Sequence, residues 1–190
     1  FEDHVKVDEL LERLITFQTN GITPRMFQYN LLKRARTNKK HIVLPEGIDE
    51  RILMATKQLI ELGAVDITLL GNRKEIEEKI ITHDIGLDLN LVNVINPIES
   101  DKFEAYAETL YELRKHKNVN LAMAKDLMED VSYFGTMMVH NGDADGMVSG
   151  AIHTTQHTIR PALQFIKTKP ETSIVSSVFF MCLEDRVSVY

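Results

Sequence analysis

The sequence holds a single cysteine, Cys182, so no disulfide can form within it. Such sparing use fits a cytoplasmic protein. Cys182 lies in the apolar run "SVFFMCL", which reads as a buried core thiol rather than a nucleophile. No apolar run approaches the ~20 residues that a bilayer-spanning helix needs. The start, "FEDHVKVDELLERL", is acidic and amphipathic, unlike a signal peptide. Basic residues are in the minority: 22 Lys and Arg against 28 Asp and Glu, a formal net charge of −6. That balance argues against a general nucleic-acid binder, which needs cationic excess, yet leaves room for a local cluster that holds a small anion. The phosphate-binding fingerprints G-x-G-x-x-G and G-x-x-x-x-G-K-[ST] are both missing, so neither that kind of dinucleotide fold nor a P-loop is supported. There is no internal repeat and no low-complexity tract.

What is present is ordinary for a globular protein: 44% hydrophobic and 26% charged residues. A length of 190 residues allows one domain and part of another. The chain starts at Phe1 rather than Met and stops at "VSVY", within an apparent strand, so it reads as a fragment. Residues 5–17 have helical apolar spacing, broken by Gly21 and Pro24 in "QTNGITP". A second helix, "RMFQYNLLKRARTNKK", follows. Strands and helices then alternate. "HIVLP" is a strand, followed by the helix "IDERILMATKQLIEL" with Asp49 as N-cap and Gly63 as stop. "VDITLLG" is a strand, followed by "NRKEIEEKI" with Asn72 as N-cap and Glu75 close to a capping box. "LVNVINP" is a strand; helices are expected over 99–117 and 120–141; "DGMVSG" is a strand, 154–168 a helix and "SIVSSVFFMCL" a strand. Alternation at this spacing predicts βαβ units, hence a three-layer α/β/α fold with a mostly parallel sheet. Ligands of such sheets bind beyond the carboxyl ends of the strands, which directs attention to "PEGIDER", "GNRKE" and "SGAIHTTQHTIR".

Three arginines are oddly placed. Arg114 follows Phe103, Ala107 and Leu110 on one helical line, so it points along the packed face; it either snorkels out or meets an anion. Arg51 falls in the first turn of its helix, against the macrodipole; it is either solvated or shares a phosphate with the helix end. Arg160 closes a donor-rich stretch with Ser149, Gly150, Thr154, Thr155 and Thr158. Gly150 allows close backbone approach, Thr154 or Thr155 can cap the helix, and hydroxyls with a guanidinium suit phosphate oxygens. Pro161 predicts a kink or a fresh helix start. His153 and His157 lie four apart, but no third ligand stands at metal spacing, so they read as capping or core histidines. Together these residues suggest a substrate with several phosphates, and no metal.

The segments "TPRMFQYNLLKRAR…KKHIVLPEG…ER", "ELRKHK", "DGMVSGAIHTTQHTIRPALQFIKT" and "SSVFFM" resemble the phosphate acetyltransferase (phosphotransacetylase) family over Ile22 to Tyr190. The resemblance implies reversible acetyl transfer between coenzyme A and phosphate, by attack of the thiolate on acetyl phosphate. It implies two α/β domains similar to isocitrate and isopropylmalate dehydrogenases, with the active site between them. Residues 1–21 would end an upstream region, 22–172 would form most of the first domain, and 173–190 would enter the second. Arg51, Arg114 and Arg160 match family arginines that bind coenzyme A and anionic substrate, and Ser149, Gly150, Thr154, Thr155 and Thr158 accompany them. The family's catalytic aspartate and Ser-Arg pair lie in a motif resembling P-x-N-D-L-S-R-G, which this chain lacks. No catalytic residue is therefore expected in these 190 residues, and the chain alone is expected to be inactive. The resemblance further implies no cofactor, coenzyme A being a substrate, and a homo-oligomer in the cytoplasm without membrane or nucleic-acid partners. An acetyl-CoA-binding regulatory domain, as at the end of some malic enzymes, and a phosphate butyryltransferase are the alternatives.

Overall fold

The computed structural model describes residues 22–190. The helix expected over 5–17 lies outside them. The described residues fall into a larger unit, Lys33–Val175, and a smaller one of residues 22–32 and 176–190.

The larger unit is a four-stranded sheet: β1 (Lys40–Leu44), β2 (Val65–Leu70), β3 (Asn93–Ile95) and β4 (Gly146–Met147). All pairings are parallel, in the order β3-β2-β1-β4. Helix α1 (Pro24–Thr37) precedes the sheet. Next come α2 (Glu50–Leu62), α3 (Arg73–Thr82), α4 (Phe103–Arg114), α5 (Leu121–Met128), α6 (Val131–His140) and α7 (Thr155–Pro161). Alternate side chains of the central strands bury on opposite faces, as the pleat requires. Val43 and Leu70 pack with Leu110, Phe134 and Met137 from α4 and α6. Leu44, Ile67 and Leu69 pack with Leu53 and Ile76 from α2 and α3. The expected three-layer α/β/α arrangement is therefore present. Beyond β1 the order of strands reverses: β2 and β3 lie to one side and β4 to the other. Such a switch point opens a crevice at the carboxyl ends of the two strands, here where the segments after β1 and β4 emerge.

The caps stand where the sequence places them. Asp49 accepts from the Arg51 and Ile52 amides at 3.0 and 3.4 Å. Gly63 is left-handed at φ 60. Asn72 accepts from Lys74 and Glu75 at 2.9 and 3.5 Å. The helix expected over 120–141 is instead two, because the Asp130 carboxylate caps a new start, accepting from Ser132 and Tyr133 at 2.9 and 3.1 Å. The helix expected over 99–117 is α4 alone, flanked by 3-10 turns. After Pro161 the α-helix widens into a π turn over Ala162–Ile166. Proline lacks the amide that would continue the α ladder, so the expected irregularity takes this form.

In the smaller unit the strand expected over "SIVSSVFFMCL" shrinks to β5 (Phe180–Cys182). It pairs antiparallel with β6 (Val187–Val189), whose three residues set the ladder's length. The Phe27 and Phe180 rings stack at 5.3 Å. Cys182 is exposed, not buried: its ladder is a two-stranded ribbon in which all three β5 residues remain exposed. No helix among the described residues is long and apolar enough to cross a membrane.

Candidate functional site

β4 is only two residues long, but the Val148 amide extends its pairing by donating to the Val43 carbonyl at 3.0 Å. The chain then turns at Gly150, whose φ of 119 a side chain would strain. The next four amides converge on one carboxylate. Gly150 and Ala151 donate to Glu46 Oε2 at 2.9 and 2.8 Å, and Ile152 and His153 to Oε1 at 2.7 and 2.7 Å. His153 Nδ1 lies 3.0 Å from Oε1. The Glu46 side chain is fully buried. Burial by itself would raise its pKa, but the four backbone donors outweigh that and hold it at about 2. Glu46 therefore stays ionised inside the protein.

Thr154 follows as the N-cap of α7, its hydroxyl accepting from the His157 amide at 3.3 Å. The His153 and His157 rings stack with centroids 4.6 Å apart and planes 13° from parallel. His157 Nε2 lies 2.9 Å from Asp130 Oδ2. Ser149 and Thr158 bring their hydroxyls to 3.4 Å. One turn beyond His157, Arg160 lines a cavity of about 560 Å³ together with Arg114, Asp130, Tyr133, Thr154 and His157. Arg114 reaches it from the end of α4. Its Nη1 donates to the Gln164 carbonyl at 3.3 Å, and its Nε is buried without a partner among the described residues. No described carboxylate lies within ion-pair distance of either guanidinium, although Asp126 and Asp130 also line the cavity, Asp130 paired with His157. A neighbouring cavity of about 660 Å³ shares both arginines and adds Thr155, Ile159 and Leu163. Two guanidiniums free of direct ion pairs, on a recess that also carries apolar side chains, can hold an anionic group attached to an apolar stem.

The family model described as "Phosphate acetyl/butaryl transferase" matches residues 26–190. The chain belongs to that family. It is 58% identical over all 190 residues to a phosphate acetyltransferase of Synechocystis sp., covering 27% of that protein. It is 52% identical over 166 residues to one of Corynebacterium glutamicum, covering 87% of this chain and 50% of the relative. A solved phosphotransacetylase from Streptococcus pyogenes superposes with a TM-score of 0.79 at 40% identity, over 87% of this chain and 50% of that one. The chain thus spans from about a quarter to half of these transferases.

The residues singled out in the sequence separate into two groups. Arg114, Arg160, Thr154 and Thr155 line the adjoining cavities. Arg51 does not line them: its guanidinium is two-thirds exposed, paired with Asp49, and donates to the Ala151 carbonyl at 2.5 Å. Ser149 and Thr158 bond each other, and the Gly150 amide is taken by Glu46. Arg114 neither snorkels into water nor meets a carboxylate; it is half-buried at the cavity wall. The histidines do not cap helices: each is held by a carboxylate. No group of three metal ligands exists among the described residues. Sequence reasoning missed Glu46 and Asp130. Glu46 had one signal, an acid between a strand end and a glycine in "LPEG", but nothing in the spacing said that it would be buried.

Proposed function

We propose that the protein transfers acetyl reversibly between coenzyme A and phosphate, forming acetyl phosphate and free coenzyme A from acetyl-CoA and phosphate. The observation that carries this reading is the convergence of Arg114 and Arg160 on one cavity, in a chain whose relatives are named phosphate acetyltransferases. Arg114 and Arg160 bind the charged part of coenzyme A or phosphate. Thr154 and Thr155 add hydroxyl donors, and Ile159 and Leu163 line the recess beside them. Arg51, Ser149, Gly150 and Thr158 act through the turn between β4 and α7 rather than by touching substrate. Thiolate attack on the acetyl carbonyl needs a base, since a free thiol has a pKa of ~8.5; the family's aspartate and Ser-Arg pair belong to a motif outside these 190 residues. Coenzyme A is a substrate and no cofactor is required. The enzyme works in the cytoplasm as a homo-oligomer, without membrane or nucleic acid.

The test is steady-state turnover by the full-length protein with acetyl and butyryl phosphate. Acetyl transfer is expected to dominate; preference for butyryl would move the protein to the other branch of the family, and no turnover would overturn the reading. Loss of a charge-assisted bond costs about 1.5–3 kcal/mol, so Arg160→Ala should raise KM for coenzyme A by roughly tenfold or more. Unchanged kinetics would remove Arg160 from the site.

A further inference from the structure

Successive backbone N–H groups converging on one point are a common way for proteins to bind an anion. Residues 150–153 make such an arrangement, but the anion is the chain's own Glu46 carboxylate, with all four bonds at 2.7–2.9 Å. We propose that Glu46 is a positioning residue: an internal anion that locks the turn between β4 and α7 and thereby aims Thr154 and Arg160 into the cavity. The proposal rests on the transferase reading for its kinetic consequence and deepens it.

The carboxylate comes from a rigid base. The Gly47 amide donates to the Leu70 carbonyl at 3.2 Å, and a Cβ at Gly47 would stand 2.6 Å from that oxygen, so the turn lies flat against the end of β2. The Asp49 amide closes the turn on the Glu46 carbonyl at 3.0 Å. Arg51 grips the other side of the 150–153 turn through the Ala151 carbonyl. The segment after β1 therefore holds both donors and an acceptor of the segment after β4, across the switch point. What it holds leads directly to the cavity: His153 stacks on His157, His157 pairs with Asp130, Thr154 caps α7, and Arg160 follows. Glu46 does not itself line the cavity. Because the four amides are occupied, they are not available to a substrate phosphate.

The experiment is chemical rescue in the full-length protein. Glu46→Ala empties the nest, and formate can re-enter it as a small carboxylate. The expected result is a KM for coenzyme A raised at least about tenfold, with kcat at saturation changed less. Formate should lower that KM for Glu46→Ala and leave the wild type unaffected. A KM equal to wild type, or one that formate does not lower, would overturn the proposal. Glu46→Gln, which keeps the shape but offers one acceptor oxygen in place of two, should show the raised KM without formate rescue. Amide hydrogen exchange of the wild type gives a reading that needs neither a variant nor turnover: Gly150–His153 should be protected, and free exchange there would sink the clamp. An inactive wild type with protected amides would instead refute the transferase reading and leave the clamp standing.

Discussion

At the scale of single residues, a carboxylate surrounded by amides ties its protonation to folding. The pKa of Glu46 falls from 4.5 to about 2 because the four backbone donors more than offset its burial. A group whose folded pKa is depressed contributes stability that is fully present above its unfolded pKa. That stability is lost as pH falls through the folded value. The difference, 4.5 less about 2, corresponds to about 3 kcal/mol, present near neutrality and lost progressively between about pH 4.5 and pH 2. Glu46→Gln cannot titrate there. Urea unfolding of both proteins from pH 6 downward should therefore show the wild type losing its advantage over the variant across that window. Parallel pH profiles would mean that the carboxylate is already protonated or solvated in the folded state. Asp49, Asp143 and Asp145, whose pKa values are also lowered, are common to both proteins and cancel in the difference.

At the scale of elements, the sequence was most legible where one residue decides one hydrogen bond. Asp49, Gly63 and Asn72 mark helix ends because their local chemistry suffices, and β1 and β2 read as strands because they are buried on both faces. The break between α5 and α6 was lost because apolar spacing runs almost unbroken through "LAMAKDLMEDVSYFGTMM", and nothing in that spacing marks Asp130 as a cap. Cys182 was misjudged for the complementary reason: an apolar run says nothing about whether a layer covers it. Within the site, Arg114 was legible from its placement on the apolar line of its helix and Arg160 from the hydroxyl-rich stretch that it closes. The Glu46 nest was not, since it depends on two segments 104 residues apart meeting at the switch point. Asp130 offers a direct check of the element-scale account. It caps α6 and accepts from His157. Removing an N-cap costs about 1 kcal/mol, whereas asparagine caps nearly as well as aspartate, and a partly exposed ion pair adds little. Asp130→Ala should lose about 1 kcal/mol of unfolding free energy and Asp130→Asn only a few tenths. Equal losses would show that the His157 pair, not the cap, is what Asp130 supplies.

At the scale of the whole molecule, what the described residues hold is a parallel sheet, a switch point, a turn tied to Glu46 and two arginines on one cavity. The acetyl transfer proposed above needs more. At neutral pH only a few per cent of a thiol with a pKa near ~8.5 is ionised, so turnover requires a base within reach of the sulfur. On this cavity the group best suited to that task is the His157–Asp130 pair. Its geometry is already committed, with His157 stacked on His153 and bonded to Asp130. The family motif that resembles P-x-N-D-L-S-R-G, which supplies an aspartate and a Ser-Arg pair, does not occur in the sequence. The 190-residue chain by itself should therefore produce acetyl-CoA from acetyl phosphate and coenzyme A no faster than buffer does, while the full-length protein turns over. Turnover by the short chain would relocate the base to this cavity. In that event His157→Ala would abolish the activity and the missing motif would lose its claim on the chemistry. If the short chain is silent and His157→Ala in the full-length protein changes KM more than kcat, the pair serves the architecture and the base lies elsewhere.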